Sequence, residues 1–108
     1  MTVTFEDAPT EVRAIVEHAR SKPERYHVWD WPTGAPRSAL FPNGIEGEQT
    51  GWSIGTESMG ITVWLGSAGC WKVVGDDDEG YRFLTDDLAA AREWFESDPD
   101  GVQAMVER

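Results

Sequence analysis

The fold is decided by residues 51–85, which read GWSIGTESMGITVWLGSAGCWKVVGDDDEGYRFLT. This stretch holds four short runs rich in Trp, Ile, Val, Tyr and Phe, each bounded by glycine or by a turn of Ser, Asp and Glu. The runs are Gly51–Gly55, Gly60–Gly66, Cys70–Gly75 and Gly80–Thr85. Such residues favour strands, and a spacing of about ten residues favours hairpin connections. The stretch therefore predicts an antiparallel meander.

Upstream segments extend this sheet. Tyr26–Trp31 has strand character, and alternation places His27, Trp29 and Trp31 on one of its faces. A turn rich in proline and glycine follows, and Arg37–Phe41 is predicted to return as a further strand. Residues 42–51 contain proline, asparagine and three glycines, which indicates a loop. The alternation in residues 2–5 favours a short edge strand.

The spacing of apolar residues predicts a helix near the N-terminus. Val12, Ile15, Val16 and Ala19 recur at i, i+3, i+4 and i+7, which places them on one face of a helix running from about Ala8 to Ser21. Asp7 is the expected N-cap of this helix, and Pro23 is expected to stop it.

Two further helices are predicted near the C-terminus. Thr85 is the expected cap of a helix over 86–97, whose apolar stripe contains Leu88, Ala91 and Phe95. A last short helix is expected to begin at Asp98 and Pro99.

The predicted fold class is therefore α+β, in a single domain over residues 1–108. An antiparallel β-sheet meander of about five or six strands is packed by an N-terminal helix and a C-terminal helix, with a short terminal helix added. The expected core contains Val12, Ile15, Val16, Ile61, Val63, Leu65, Val73, Phe83, Leu88 and Phe95.

Cysteine content and hydropathy indicate the compartment. Cys70 is the only cysteine among the 108 residues, so no intrachain disulfide can form. The first residues, MTVTFEDAPTEV, lack the basic start and apolar run of a secretory signal. No apolar run approaches the roughly 20 residues of a membrane helix. These features predict a soluble cytoplasmic protein that makes no membrane contact.

Acidic residues are concentrated in the second half of the chain. Residues 75–100 contain ten of them against two arginines, a net of −8 within a chain total of −11. This charge disfavours direct binding of nucleic acid or anionic membranes and favours a protein with a basic surface or cleft. A general acidity of the host's proteins, as in a salt-adapted organism, is the alternative explanation.

Metal and cofactor signatures are weak. One cysteine with His18 and His27 does not supply a zinc spacing. The run from Asp76 to Gly80 resembles part of a calcium loop, but its glycine does not fall at the sixth position of such a loop. We interpret the run as a solvated hairpin tip, and we predict neither a metal nor a cofactor.

Catalytic signatures are weak as well. No nucleophile elbow, dinucleotide-binding motif or P-loop occurs in the chain. Cys70 with His27 is the remaining nucleophile hypothesis, and an inert, buried Cys70 is the simpler interpretation. The sequence therefore predicts a protein that is not an enzyme.

Six tryptophans suggest a surface for protein contact. Trp29 and Trp31 are expected to project from the same strand face, where exposed aromatic residues could anchor an interface whose periphery is acidic. The alternative is that both pack under the first helix.

Together these features favour a small acidic protein that binds and inhibits another protein. Such a protein could be a toxin-neutralising immunity protein, or a phage or mobile-element inhibitor that mimics the charge of nucleic acid against a nucleic-acid-processing enzyme. The order of helix, meander and helix is similar to that of many small bacterial immunity proteins. A structural or accessory subunit of a phage particle or larger complex is the alternative, and the oligomeric state is open. The candidate partner-binding residues are Asp76, Asp77, Asp78, Glu79, Asp86, Asp87, Trp29 and Trp31.

Overall fold

A single antiparallel sheet forms the centre of the molecule. The computed structural model describes residues 5–31, 50–65 and 69–107. The strands within these residues are β1 (His27–Trp31), β2 (Thr50–Gly55), β3 (Met59–Leu65), β4 (Trp71–Asp77) and β5 (Arg82–Thr85). Each pairs antiparallel with the next, in the order β1-β2-β3-β4-β5. The predicted meander is confirmed, whereas the predicted strand Arg37–Phe41 lies outside the described residues.

Helices complete the α+β architecture that the sequence predicted. They are α1 (Thr10–Arg20), α2 (Leu88–Glu96) and the short α3 (Gln103–Val106). The four apolar residues of the α1 stripe are all buried, because a period of 3.6 residues places them on the face that meets the sheet. No helix in the described residues is long and apolar enough to cross a membrane.

The start of α1 differs from the prediction. Phe5–Asp7 is a short 3-10 helix, so Phe5 does not belong to an edge strand, and residues 2–4 lie outside the described part of the chain. Pro9 occupies the N-cap position of α1, and no side chain caps the helix there. Asp7 is not the cap because the 3-10 turn ends at this residue and the helix begins three residues later.

The starts of the two C-terminal helices also differ. Thr85 still belongs to β5, and its hydroxyl accepts a hydrogen bond from the Asp87 backbone N–H at 3.0 Å. The cap of α2 is Asp87, whose Oδ1 accepts from the Ala90 N–H at 3.0 Å. Val102 occupies the N-cap position of α3, so Asp98 lies before that helix rather than at its start.

One face of the sheet, here called the helical face, packs against the helices. Its buried residues include Ile54, Ile61, Val63, Val73 and Phe83, which form one cluster with the α1 stripe and with Phe95 of α2. The predicted core residues are buried except Leu65 and Leu88, which are half-buried.

The opposite face, here called the second face, is defined by the alternating residues. The strand registers place Trp29, Ser53, Thr62, Val74 and Leu84 in one row across it. The middle of this row is buried, with Thr62 and Val74 only 1% and 6% exposed. The two ends are open, since Trp29 is 55% and Leu84 62% exposed. Trp29 therefore does not pack under α1, which lies on the helical face.

Candidate functional site

The end of β4 and the β4–β5 turn that follows it carry four of the predicted acidic contacts. Asp78 and Glu79 lie in the turn and are exposed, as the hairpin-tip interpretation requires, whereas Asp76 and Asp77 belong to β4. Asp76 is exposed and faces the second face, in register with Gly60 and Arg82. Three carboxylates are thus available to solvent at this end of β5.

Asp77 differs from its neighbours because its carboxylate accepts hydrogen bonds from backbone N–H groups of two separate segments. Its Oδ2 accepts a hydrogen bond from the Val102 N–H at 2.9 Å, and its Oδ1 accepts from the Glu79 and Tyr81 N–H groups, both at 3.0 Å. These bonds, led by that from Val102, hold the pKa of the Asp77 carboxyl below its usual value. Asp77 therefore joins the β4–β5 turn to the start of α3.

The remaining acidic candidates lie at the other end of β5. Asp86 and Asp87 are both exposed, and Asp87 also caps α2. β5 spans four residues, which separates these carboxylates from the β4–β5 turn by about 13 Å. The acidic candidates form two groups rather than one patch, with the exposed Leu84 between them.

Trp29 lies on β1, at the far side of the sheet from Asp86 and Asp87, which follow β5. Its ring stacks on His27, with centroids 5.7 Å apart and planes 20° from parallel. Four strand spacings, about 19 Å, separate β1 from β5. Trp31 ends β1, and its side chain lies outside the described part of the molecule. The structure therefore does not place Trp29 beside Asp86 or Asp87.

The strand register contradicts the hypothesis that Cys70 and His27 form a nucleophile and base pair. Cys70 precedes β4 and is exposed, which corrects the expectation of a buried thiol. His27 lies in the same row as Asp76, at the opposite end of β4 from Cys70. Six residues of strand length put about 20 Å between them along the sheet, in addition to three strand spacings. Cys70 and His27 therefore do not form a catalytic pair.

A cluster around Asp98 connects the region of α1 and β1 with the segment between α2 and α3. Asp98 Oδ1 lies 2.8 Å from His18 Nε2 and accepts a hydrogen bond from the Tyr26 hydroxyl at 2.8 Å, and Oδ2 accepts from Lys22 Nζ. Lys22 first, then His18 and Tyr26, hold the pKa of the Asp98 carboxyl well below its usual range. Asp98 also has a φ of 55°, which aspartate tolerates better than most residues.

Arg25 extends this cluster through its guanidinium. Nη2 donates to the backbone oxygens of Asp98 and Pro99 at 3.0 and 2.8 Å and lies 3.2 Å from Asp100 Oδ1. Beside it is a cavity of about 350 Å³ lined by Glu24, Arg25, Thr56, Glu57, Ser58 and Asp100. Ser58 Oγ donates to the Asp100 backbone oxygen at 2.6 Å rather than to a base.

The described residues do not form a candidate metal-binding site. No group of three or more His, Cys, Asp or Glu side chains among them is placed to hold a metal ion. Asp77 directs both carboxylate oxygens at backbone N–H groups rather than at a shared point with Asp76 or Asp78.

Sequence reasoning missed the roles of Asp77 and Asp98. Extending the alternation of the third run, Cys70–Gly75, by two residues would have placed Asp76 and Asp77 on opposite faces of the sheet. No local signal marks Asp98, because its partners His18, Lys22 and Tyr26 lie 72 to 80 residues earlier.

Comparison with known proteins adds no functional assignment. No protein-family model matches this chain, and no curated protein or solved structure is significantly similar to it.

Proposed function

We propose that this protein binds a basic surface or cleft of another protein and blocks it, without chemistry of its own. One observation carries the proposal: the exposed Leu84 lies on edge strand β5 between two groups of exposed carboxylates. An apolar centre with a charged periphery is the usual anatomy of a protein interface. The net charge of −11 adds long-range attraction to a cationic partner.

The partner class follows from the charge. Enzymes that process nucleic acids, and toxins of that kind, hold basic clefts for phosphate groups, and carboxylates can occupy such clefts instead. Asp76, Asp78 and Glu79 are the contacts at one end of β5, and Asp86 with Asp87 are those at the other. The protein would act as an immunity protein or as a phage-encoded or mobile-element inhibitor, in the cytoplasm.

Charge reversal at the β4–β5 turn tests this proposal. The double variant Asp78→Lys with Glu79→Lys changes the local charge from −2 to +2 and leaves Asp77 to hold the turn. We expect capture of partners from host lysate at low salt to fall at least about tenfold, because steering and complementarity are both reversed. Quantitative mass spectrometry of the captured proteins measures the effect.

The matched control changes the same number of charges elsewhere. Glu6→Lys with Glu17→Lys alters two exposed glutamates, one in the 3-10 helix and one on α1. This control should retain most of the capture at low salt. Equal losses in the two double variants, or no loss in the first, would contradict a site at the β4–β5 turn.

A second candidate function is a structural or accessory subunit of a phage particle or larger complex. The open ends of the second face favour it, since Trp29 and Leu84 are both more than half exposed. Assembly through these residues predicts self-association that persists at high salt and is lost in Trp29→Ala. Size-exclusion chromatography at low and high salt measures this, and a monomer under both conditions would exclude self-assembly of the chain.

A further inference from the structure

Gly60 is a strand glycine that packing does not require. A Cβ at Gly51 would lie 2.3 Å from a backbone oxygen of β3, and a Cβ at Gly75 would lie 2.5 Å from a phenylalanine ring carbon. At Gly60 the nearest atom would be 3.5 Å away, an ordinary contact, and its φ is not left-handed. A glycine inside a strand weakens the strand and often marks a close approach by a ligand or another chain.

Gly60 and its strand partner Gly55 form a flat floor on the second face. The register pairs them directly, one strand spacing of about 4.8 Å apart. Both are partly accessible to solvent. No side chain arises from either position, so the side chains of neighbouring strands can lie over the sheet backbone there.

Two side chains lean over this floor from opposite sides. The six-membered ring of Trp29 reaches over Gly55, with Cζ3 and Cη2 at 3.3 and 3.5 Å from the position of a Cβ there. Asp76 Oδ1 reaches over Gly60 at 3.5 Å by the same measure. The strands of Trp29 and Asp76 are three spacings apart, about 14 Å, yet their side chains approach neighbouring floor positions.

The Asp76 carboxylate is available for a ligand. Within the described parts of the chain it forms no side-chain hydrogen bond or ion pair, although Arg82 is its neighbour in register. An anion would be repelled by Asp76, and a purely apolar ligand would strip water from the carboxylate without compensation. A ligand that suits both Trp29 and Asp76 carries a cation on an apolar stem, as lysine and arginine side chains do.

We propose that Gly55, Gly60, Trp29 and Asp76 form a docking site for one lysine or arginine side chain of a protein partner. The methylene stem packs on the Trp29 indole, and the charged head meets the Asp76 carboxylate above Gly60. This proposal rests on the proposed function, because it names how the basic partner is recognised. The proposed site also places Trp29 together with Asp76, one of the acidic candidates for partner binding.

A small-molecule titration tests the site without any partner. The probe is N-acetyl-arginine amide, with the neutral N-acetyl-citrulline amide as its counterpart, added to ¹⁵N-labelled protein and followed by NMR. We expect the Gly55 and Gly60 amides and the Trp29 indole to shift with the arginine probe alone. A single side chain should bind with a dissociation constant on the order of millimolar.

Three variants assign the shifts to the site. Gly60→Val should fill the floor and weaken probe binding at least about tenfold, while thermal unfolding occurs at the same or a higher temperature because valine favours strands. Asp76→Asn should weaken binding about fivefold, as expected for an exposed ion pair. Glu17→Gln removes one exposed carboxylate from α1 and should leave probe binding unchanged.

The outcomes separate this site from the general proposal. Unchanged probe binding in Gly60→Val and Asp76→Asn, or shifts spread evenly over exposed carboxylates, would overturn the docking site. Capture of the same lysate partners by Gly60→Val as by the unaltered protein would overturn the site while leaving the inhibitor function standing. Failure of the β4–β5 charge reversal to reduce capture contradicts the function but does not alter the probe titration.

Discussion

Phe95→Ala is expected to lower the free energy of unfolding by about 3 to 5 kcal/mol. The side chain is 1% exposed and is one of the largest fully buried groups. Its ring lies 5.0 Å from that of Tyr26 and 5.5 Å from that of His18, measured between centroids. Truncation therefore removes buried aromatic contacts and leaves a cavity between α1, α2 and the Asp98 cluster.

Chemical denaturation at neutral pH measures this effect, and Leu84→Ala is the matched control. Leu84 is 62% exposed, so its truncation leaves no cavity and should change the free energy of unfolding by less than about 0.5 kcal/mol. A domain of this size is stable by about 5 to 15 kcal/mol, so Phe95→Ala should unfold at a clearly lower denaturant concentration at its midpoint. Equal losses in the two variants would contradict the position of Phe95 in the core.

The α1 stripe shows what the sequence predicts well. Val12, Ile15, Val16 and Ala19 are buried as expected because the period of 3.6 residues carries both the helix and the direction of its packing. The strand runs between glycines were found for a similar reason, since β-branched and aromatic residues alternate between short turns. Local patterns of this kind depend on near neighbours in the chain.

Helix starts were less predictable because several residues competed for each cap. Thr85 and Asp87 both have side chains that can cap a helix, and the choice depends on how far β5 extends. The pairing of Val73 with Thr85 keeps Thr85 in the sheet, which leaves the cap to Asp87. Strand pairing of this kind is a tertiary contact that helix propensity does not contain.

The acidic run divides into structural and exposed residues that look alike in the sequence. Asp77, Asp87 and Asp98 each accept hydrogen bonds that fix a turn, a helix start or a long-range contact. Asp87 is also exposed, as are Asp76, Asp78, Glu79 and Asp86. The acidic residues therefore include carboxylates that hold the fold and carboxylates that are exposed, and only the exposed ones are available for the proposed partner binding.

The proposed docking site on the second face depends on strand register rather than on residue type. Trp29 and Asp76 are 47 positions apart, and neither marks a shared site by itself. Trp29 reaches over Gly55 and Asp76 over Gly60, and because these two glycines pair, both side chains approach the same part of the sheet. Sequence patterns indicate which residues alternate along a strand, whereas pairing across four strands determines which rows they form.

Asp98→Asn is expected to lower the free energy of unfolding at neutral pH by about 1 to 2 kcal/mol. Asparagine keeps the shape and tolerates the positive φ of 55°, so the variant removes mainly the negative charge that Lys22 and His18 approach. The carboxylate side chain is 31% exposed, and solvent screening therefore keeps the loss below that of a fully buried pair.

Acid should reduce the difference in unfolding free energy between Asp98→Asn and the unaltered protein. The pKa of Asp98 is lowered in the folded state by Lys22, His18 and Tyr26, so its stabilising contribution is complete above the ordinary aspartate pKa of about 3.9. As the pH falls below that value toward the folded pKa, the contribution is lost. Denaturant unfolding of both proteins between about pH 7 and pH 2 measures this convergence. A difference in unfolding free energy that stays constant over this pH range would show that the lost stability does not come from the Asp98 charge.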